Sequence, residues 1–194
     1  MRVASGCARC WFCSAPAREA GPAAVRAGIA VELVHMASLV HDDVLDRAPL
    51  RRGLPTVYAS SGRDRATALG DRLFSTAFKV LVDGGDAGAV REVSATAVDL
   101  ARGELRQREG AFDLDLTEGD YFDRCALKTG RLFEAACVLG RASTGGDPGP
   151  VGPFGQKSVS PSSCSTTRST SPVRRSAPAR PGAPTCWTAR SRCR

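Results

Sequence analysis

Apolar residues recur every three or four positions along most of this chain, and that period constrains the fold more than any other feature of the sequence. In the first such segment the apolar stripe is Val25, Ile29, Leu33, Met36 and Val40. A helix brings residues at this spacing onto one face, whereas a strand needs strict alternation over about four to eight residues, which no run here provides. The sequence therefore predicts an all-α fold, a helical bundle.

Turn residues and one capping residue mark the boundaries of four predicted helices. The first ends near Asp46, and the fourth follows the N-cap residue Thr117 and ends before Gly145. The two middle helices are predicted at about 64–82 and 87–109. The apolar stripes of the last three helices are Phe74, Phe78 and Leu81; Val90, Val93, Ala97 and Leu100; and Tyr121, Cys125, Leu132, Ala135 and Leu139.

The two ends of the chain differ in composition from its body, so we divide it into three segments. Residues 1–16 are rich in Cys and show no period, and residues 17–156 carry the helical patterns. Residues 157–194 are rich in Ser, Pro and Arg. That last segment has too little apolar surface to bury and is predicted to be a disordered tail. The helical core is expected to be truncated.

The formal net charge of +7 originates in the C-terminal segment. One Lys and seven Arg lie from Lys157 onward without any Asp or Glu, so the rest of the chain is close to neutral. A nucleic-acid binder with a basic tail is one alternative. The tail offers a single aromatic side chain, Trp187, to stack on bases, and we therefore expect no nucleic-acid partner.

The cysteines and the apolar runs bear on metals and membranes. Cys7, Cys10 and Cys13 have the spacing of part of an iron–sulfur motif, but the position of the fourth ligand in that motif holds Ala17. No unbroken apolar run reaches the ~18–20 residues of a membrane span, and the first residues lack the apolar core of a secretory signal. We expect no transmembrane segment and a cytoplasmic protein.

Polar residues continue the apolar stripes of all four helices. Burying an unpaired charge costs several kcal/mol, so such residues are rare unless they have partners or bind ions. Four helices that each turn a polar group inward predict one shared polar cavity. For any single residue the alternative is that its stripe has rotated to the surface. The residues concerned are Asp43, Asp71, Glu104, Gln107 and Lys128.

Three carboxylates stand at the end of the first predicted helix. Asp42 and Asp46 are one turn apart on one face, with Asp43 beside them. The helix macrodipole disfavours negative charge there, and a bound divalent cation such as Mg²⁺ would reverse that penalty. Arg51 and Arg52 follow, and arginine suits phosphate oxygens. The alternative is a solvated acidic helix end followed by a basic loop.

With these residues in view, the chain resembles the trans-type polyprenyl diphosphate synthases, the polyprenyl synthetase family. The segment 41–56 is similar to the first aspartate-rich motif of that family, and the similarity extends over about Val25 to Gln156. The motifs that carry it are Glu32-Leu33-Val34-His35, His41-Asp42-Asp43-Val44-Leu45-Asp46, Leu69-Gly70-Asp71-Arg72-Leu73-Phe74, Gly103-Glu104-Leu105-Arg106-Gln107 and Leu127-Lys128-Thr129-Gly130-Arg131-Leu132-Phe133.

The resemblance implies a fold of the isoprenoid synthase type and a Mg²⁺-dependent prenyltransferase. Such an enzyme ionises an allylic diphosphate and joins it to isopentenyl diphosphate, and the intact family member is expected to be a homodimer. The resemblance assigns Mg²⁺ to Asp42, Asp43 and Asp46, and the two diphosphates to Arg51, Arg52, Lys128 and Thr129. It places Asp71, Glu104 and Gln107 around the cavity.

Product length is expected to depend on residues one turn before Asp42, because the allylic chain grows away from the diphosphate. Ala37 and Ser38 occupy that turn, and both are small. Leu33 lies one turn further and would form a deeper floor. The sequence therefore predicts a product longer than farnesyl diphosphate.

Two elements of the family are missing from the chain as written. The family carries a Gly-Lys-Arg element before the first helix and a second Asp-Asp-x-x-Asp motif after the fourth. If codons end in G or C, Ser162–Ser171 can be read in another frame as Phe-Gln-Leu-Leu-Asp-Asp-Ala-Leu-Asp-Phe, and Val3–Ser14 similarly permits a Gly-Gly-Lys-Arg-Leu-Arg-Pro element. We therefore expect frame changes near Ala15 and Gln156. A catalytically impaired relic, or a non-catalytic partner subunit of the same fold, is the alternative function.

Overall fold

The computed structural model describes residues 21–111, 113 and 115–157, and this part of the chain is dominantly helical. The predicted Cys cluster and the predicted disordered tail after Lys157 lie outside the described residues. The elements in chain order are α1 (Pro22–Leu45), β1 (Leu50–Arg51), β2 (Leu54–Pro55), α2 (Val57–Ser61), α3 (Arg63–Asp83), α4 (Ala87–Glu109), α5 (Glu118–Cys125), a π-helical turn (Ala126–Gly130), α6 (Arg131–Ala142) and α7 (Val151–Lys157).

The four predicted helices are confirmed, with α4 at the predicted bounds. Thr117 caps α5 as expected: its hydroxyl accepts from the Asp120 backbone N–H, and the Asp120 carboxylate accepts from the Thr117 N–H. The short helices α2 and α7 were not predicted, because neither is long enough to show a helical period.

The predicted stripe of α1 is wrong for three of its five residues. Val25, Ile29 and Met36 are 52%, 45% and 39% exposed. The buried face of α1 consists of small and branched residues instead, and these are Ala24, Ala27, Ala30, Val31, Val34 and Ala37. Alanine lets two helix backbones approach closely, and α1 packs along α3 in this way. At the closest point a Cβ on Gly70 of α3 would overlap the imidazole of His41.

One hydrophobic core joins α1, α3, α4 and α6. It is built around buried side chains such as Val34, Leu81, Val93 and Leu139, and Phe74 and other half-buried residues pack against it. The predicted stripes of α3 and α4 therefore face the core as expected. Burial of such side chains stabilises a fold by about 1.5–3 kcal/mol each.

A π-helical turn interrupts the fourth predicted helix between α5 and α6. It lies against α4 at Gly103, where an added Cβ would come within 2.8 Å of the Lys128 backbone nitrogen. The absence of a side chain at Gly103 therefore allows the close contact that brings Lys128 beside α4. Single π turns of this kind occur frequently at functional sites.

Arg131, the first residue of α6, is surrounded by three carboxylates, and we call this group the Arg131 cluster. Its Nε donates to Asp99 Oδ2 at 2.8 Å, and its Nη1 lies 2.6 Å from Glu134 Oε2. Glu92 Oε1 lies 3.7 Å from Nη2. Burial alone would lower the pKa of Arg131, but the hydrogen bond that Arg131 donates to Glu134 and the charges of the neighbouring carboxylates raise it. The cluster joins α4 to α6 by charge-assisted hydrogen bonds.

A two-residue hairpin follows α1, although no strand was predicted. Leu50 pairs with Pro55 and Arg51 with Leu54 in antiparallel register. The turn residues Arg52 and Gly53 both have positive φ, 54° and 80°, as a tight hairpin turn of the favoured hand requires. This turn folds Arg51 back toward the end of α1.

Helix α1 is long and apolar enough to cross a membrane by length and composition alone. No unbroken apolar run marks α1 in the sequence, because isolated charged residues interrupt a stretch that is apolar on average. A core helix meets the same criterion, and α1 supplies Ala30, Val31 and Val34 to the core.

Candidate active site

The end of α1 brings three acidic side chains to one end of the bundle, and each is paired with a different cation. Asp42 and Asp43 lie in the last turn, and Asp46 is the C-cap residue. Together with Glu104 and their basic partners they form a group that we call the site cluster. Its members are Asp42, Asp43, Asp46, Glu104, Arg51, Arg108 and Lys128.

Asp43 is held by the hairpin. Nε of Arg51 donates to both carboxylate oxygens of Asp43, at 2.9 and 3.0 Å, and Nη2 lies 2.9 Å from Oδ1. Asp43 is buried, at 7% exposure, and a planar guanidinium satisfies both of its oxygens. The buried carboxylate predicted from the α1 sequence is therefore present, with Arg51 as its partner.

Lys128 links the π-helical turn to two helices. Its Nζ donates to Glu104 Oε2 at 2.5 Å and lies 3.5 Å from Asp42 Oδ2. Burial raises the pKa of Asp42 above its ordinary value; Lys128 opposes that shift, and the Glu104 and Asp46 carboxylates add to it. Two polar residues predicted on separate stripes, Glu104 and Lys128, thus meet in one place, beside Asp42 of the acidic motif.

Arg108 is the last member of the site cluster, and no role was predicted for it from the sequence. Its Nη2 donates to Asp46 Oδ1 at 3.3 Å, and its Nε lies 3.0 Å from Glu104 Oε1. The only sequence signal was its position four residues after Glu104, on the same face of α4. That spacing is common on solvated helices, so it did not single Arg108 out.

The remaining predicted site residues are not members of the site cluster and differ in how exposed they are. Asp71 was expected to line the cavity, but its side chain is 67% exposed and lies 3.2 Å from Nε2 of His41. Gly70 packs directly against His41 of α1, so the next residue, Asp71, lies at the exposed edge of the contact between α1 and α3. Arg52 is exposed at the hairpin turn, while Thr129 and Gln107 are half-buried.

The three residues expected to limit product length lie on α1. Ala37 is completely buried, and Leu33 packs against the core. Ser38 is half-buried, and its hydroxyl donates to the backbone carbonyl of His35 at 2.8 Å. Burial lowers the pKa of His35; Glu32 opposes this effect, and Arg52 and Arg51 add to it.

The donor set suits a hard divalent cation, since the four carboxylates of the site cluster offer only oxygen ligands. Among the residues described, no three acidic, His or Cys side chains converge closely enough to hold a metal ion. The reason is visible in the ion pairs, because Asp42, Asp43 and Asp46 each turn toward a different cation. Binding of Mg²⁺ would therefore require these carboxylates to exchange partners.

The known proteins that resemble this chain belong to one family. The model of the family described as polyprenyl synthetase matches residues 4–155. A curated relative, heptaprenyl diphosphate synthase component 2 of Geobacillus stearothermophilus, is 40% identical over 123 residues, which cover 63% of this chain and 38% of the relative. Geranylfarnesyl diphosphate synthase of Aeropyrum pernix is 35% identical over 137 residues, covering 66% of this chain and 42% of that protein.

Solved structures share the fold. A decaprenyl diphosphate synthase from Rhodobacter capsulatus superposes with a TM-score of 0.69 at 31% identity, covering 70% of this chain and 43% of that one. A polyprenyl synthase from Caulobacter crescentus, complexed with calcium and isoprenyl diphosphate, gives a TM-score of 0.68 at 30% identity, with 78% and 45% covered. The chain therefore spans about two fifths of the length of the relatives that it matches.

Proposed function

Because the chain belongs to the polyprenyl synthetase family, we propose that the protein to which it corresponds joins an allylic diphosphate to isopentenyl diphosphate. The observation that carries the proposal is the site cluster, in which Asp43 of the first aspartate-rich motif pairs with Arg51 and Asp42 with Lys128 at one end of the bundle. Acids for a metal ion and cations for a diphosphate are what this reaction requires.

Asp42, Asp43 and Asp46 would hold Mg²⁺, with Glu104 beside them. When bound, the ion supplies positive charge that stabilises a departing diphosphate. The structure of the relative from Caulobacter crescentus, which contains calcium and isoprenyl diphosphate, supports a divalent cation and a prenyl ligand in this fold.

The chain's own cations would then bind the phosphates. Arg51 and Lys128 are already turned toward the acidic motif, so a diphosphate brought there lies within reach of both. Arg51 would take the allylic diphosphate, Lys128 with Thr129 would assist, and Arg52 at the exposed hairpin turn would take isopentenyl diphosphate. These contacts favour the charge that develops on the leaving group over the ground state.

Product length is part of the proposal. Ser38 lies one turn before Asp42 on the same face and is not completely buried, so it lies where a growing chain would pass. Ala37 is buried completely and Leu33 packs in the core, so bulk introduced at Ala37 would act by displacing neighbours. We propose a product longer than farnesyl diphosphate, which chromatography of the dephosphorylated products would measure.

A non-catalytic or two-component assembly is the second candidate. One observation favours the two-component assembly: two of the curated relatives are named as component 2 of heptaprenyl diphosphate synthases. A homodimer and a cytoplasmic location are our expectations for the complete protein. Light scattering of the chain alone, and of a mixture with a second component, would separate these assemblies.

The decisive experiment measures incorporation of labelled isopentenyl diphosphate. The 194-residue chain should turn over poorly, because its second acidic motif and Gly-Lys-Arg element are missing. The protein expressed with both reading frames corrected should be active. Robust activity of the 194-residue chain would contradict the predicted frame changes. If the corrected protein folds but is inactive, the proposed prenyltransferase activity is wrong and the role of a non-catalytic partner subunit is favoured.

A further inference from the structure

Arg108 connects two carboxylates at the edge of the site cluster. Its guanidinium reaches from the last turn of α4 to Asp46 at the end of α1, at 3.3 Å, and to Glu104 on its own helix, at 3.0 Å. Its side chain is 39% exposed, so it lies on the solvent side of the cluster.

The two oxygens of Glu104 are divided between two cations. Oε1 faces Arg108, and Oε2 accepts from Lys128. Lys128 also faces Asp42, and Arg108 also faces Asp46. Glu104 therefore links the two outer carboxylates of the acidic motif through two basic side chains, and both of those carboxylates are neutralised without a metal ion.

A metal ion and Arg108 would compete for the same oxygens. An arginine does not lose its proton at any ordinary pH, so its charge is removed from Asp46 only by moving the side chain. A divalent cation brought to Asp46 would also be repelled by the guanidinium at close range. A diphosphate would offer Arg108 a new acceptor with the bidentate geometry that a guanidinium prefers.

Resting on the proposed function, we propose that Arg108 is a further ligand-binding residue that couples the metal to the diphosphate. In the free protein it neutralises Asp46 and Glu104 and thereby weakens the binding of a divalent cation alone. When a diphosphate is present, Arg108 transfers to it, and Asp46 becomes available to the metal. The metal and the diphosphate therefore bind more tightly together than separately, with Arg108 as one cause.

The test is the binding of Mn²⁺ to the 194-residue chain, measured by the EPR signal of free Mn²⁺ with and without inorganic pyrophosphate. Arg108→Leu should tighten Mn²⁺ alone by about tenfold, which corresponds to about 1.4 kcal/mol. It should also reduce the enhancement by pyrophosphate to the same extent, since Arg108 of the parent chain no longer competes with Mn²⁺ once pyrophosphate is bound. Arg108→Lys retains the charge and should behave like the parent chain.

Arg106→Leu is the matched control. Arg106 lies on the same turn of α4, is exposed, and forms no ion pair with Asp46 or Glu104 in the described part of the chain. Losing its charge should change the Mn²⁺ affinity by less than about twofold, because exposed charges are screened by salt. Helix content from circular dichroism would confirm that each variant is folded.

The outcomes separate this inference from the proposed function. If Arg108→Leu leaves Mn²⁺ affinity unchanged or weaker, or if Mn²⁺ binds neither parent nor variant, the role given to Arg108 is wrong. If Asp43→Asn binds Mn²⁺ as well as the parent does, the metal site itself is misplaced, and the proposed function fails together with the inference.

Discussion

The site cluster and the Arg131 cluster are both built from acidic and basic side chains but differ in how the charges are arranged. In the Arg131 cluster a single guanidinium at the centre holds Asp99 at 2.8 Å and Glu134 at 2.6 Å. In the site cluster each acid of the α1 motif has a separate cation, and those cations come from the β-hairpin, α4 and the π-helical turn.

Under the proposed function, this difference suits the Arg131 cluster to fastening helices and the site cluster to receiving a ligand. The carboxylates around Arg131 share that one guanidinium, and Asp99 also faces Arg102 at 3.5 Å, so freeing any of them would disturb the pairing of the others. In the site cluster the acids share one helix end while the cations sit on other elements, so each cation can move without disturbing α1. Under the proposed function, a diphosphate would replace the carboxylates as the acceptor for these cations.

Asp43 offers the largest expected effect. In the protein with corrected frames, Asp43→Ala should lower kcat at least ~100-fold, the scale of losing an electrostatic partner of the transition state. The matched change in the other cluster is Glu92→Gln, where the carboxylate lies 3.7 Å from Arg131. That variant should keep kcat within about threefold, and a comparable loss in both would remove the functional distinction between the clusters.

Arg131 should matter for stability and not for metal binding. Arg131→Met leaves Asp99 and Glu134 without their shared donor and should cost about 1.5–3 kcal/mol of unfolding free energy in urea titrations. Arg131→Lys should cost less, since it retains the charge but not the planar fork. Mn²⁺ affinity of the folded variants should equal that of the parent; a tenfold change would place Arg131 in the site.

Gly103 lies where α4 meets the π-helical turn that carries Lys128. Gly103→Ala would bring a methyl group within 2.8 Å of the Lys128 backbone nitrogen and should destabilise the fold by about 1–3 kcal/mol through overpacking. Gly88→Ala on the same helix is the control, because its nearest neighbour would lie at an ordinary 3.4 Å. That variant should be neutral or stabilising by up to ~1 kcal/mol.

The free energy of unfolding should depend on pH through His35, which lies on α1. The pKa of His35 is lowered from 6.5 by burial, so the unfolded chain takes up this proton first as the pH falls. Stability from His35 is fully present above pH 6.5 and is lost as the pH falls from there through the lowered pKa, at no more than about 1.4 kcal/mol per pH unit.

His35→Gln should flatten this part of the stability profile, as urea titrations between pH 7.5 and 5.5 would measure. The chain has only two histidines, so His41→Gln is the natural control for replacing an imidazole elsewhere on α1. A slope that persists in His35→Gln would assign the pH dependence to other groups.

The smallest effect is expected for an ion pair outside both clusters. Lys79 and Asp83 are one turn apart on α3, and Nζ lies 2.6 Å from Oδ2, but both side chains are mostly exposed. Lys79→Ala should cost less than about 0.5 kcal/mol in low salt and still less at high salt. If the loss of unfolding free energy approached that of Arg131→Met, an exposed ion pair would stabilise the fold as much as the more buried Arg131 cluster does.

The longer helices, and every residue of the site cluster except Arg108, could be predicted from the sequence alone. Turn residues and the Thr117 cap specify local backbone conformations, so they carry their information over a few residues, and α4 has the predicted bounds. Glu104 and Lys128 could be recognised because charged residues on an otherwise apolar stripe require partners. Their meeting at one point was predicted from that requirement, and the ion pair between them confirms it.

Which face of each helix is buried, and which long side chains contact each other, depends on the tertiary packing. Helical period defines a stripe, but alanine and glycine permit the closest approach, and this is why Val25 and Ile29 are exposed while Ala30 is buried. Arg108 reaches Asp46 across 62 positions of sequence. No local pattern encodes such a contact, because it depends on where α1 and α4 end relative to each other once the core has packed.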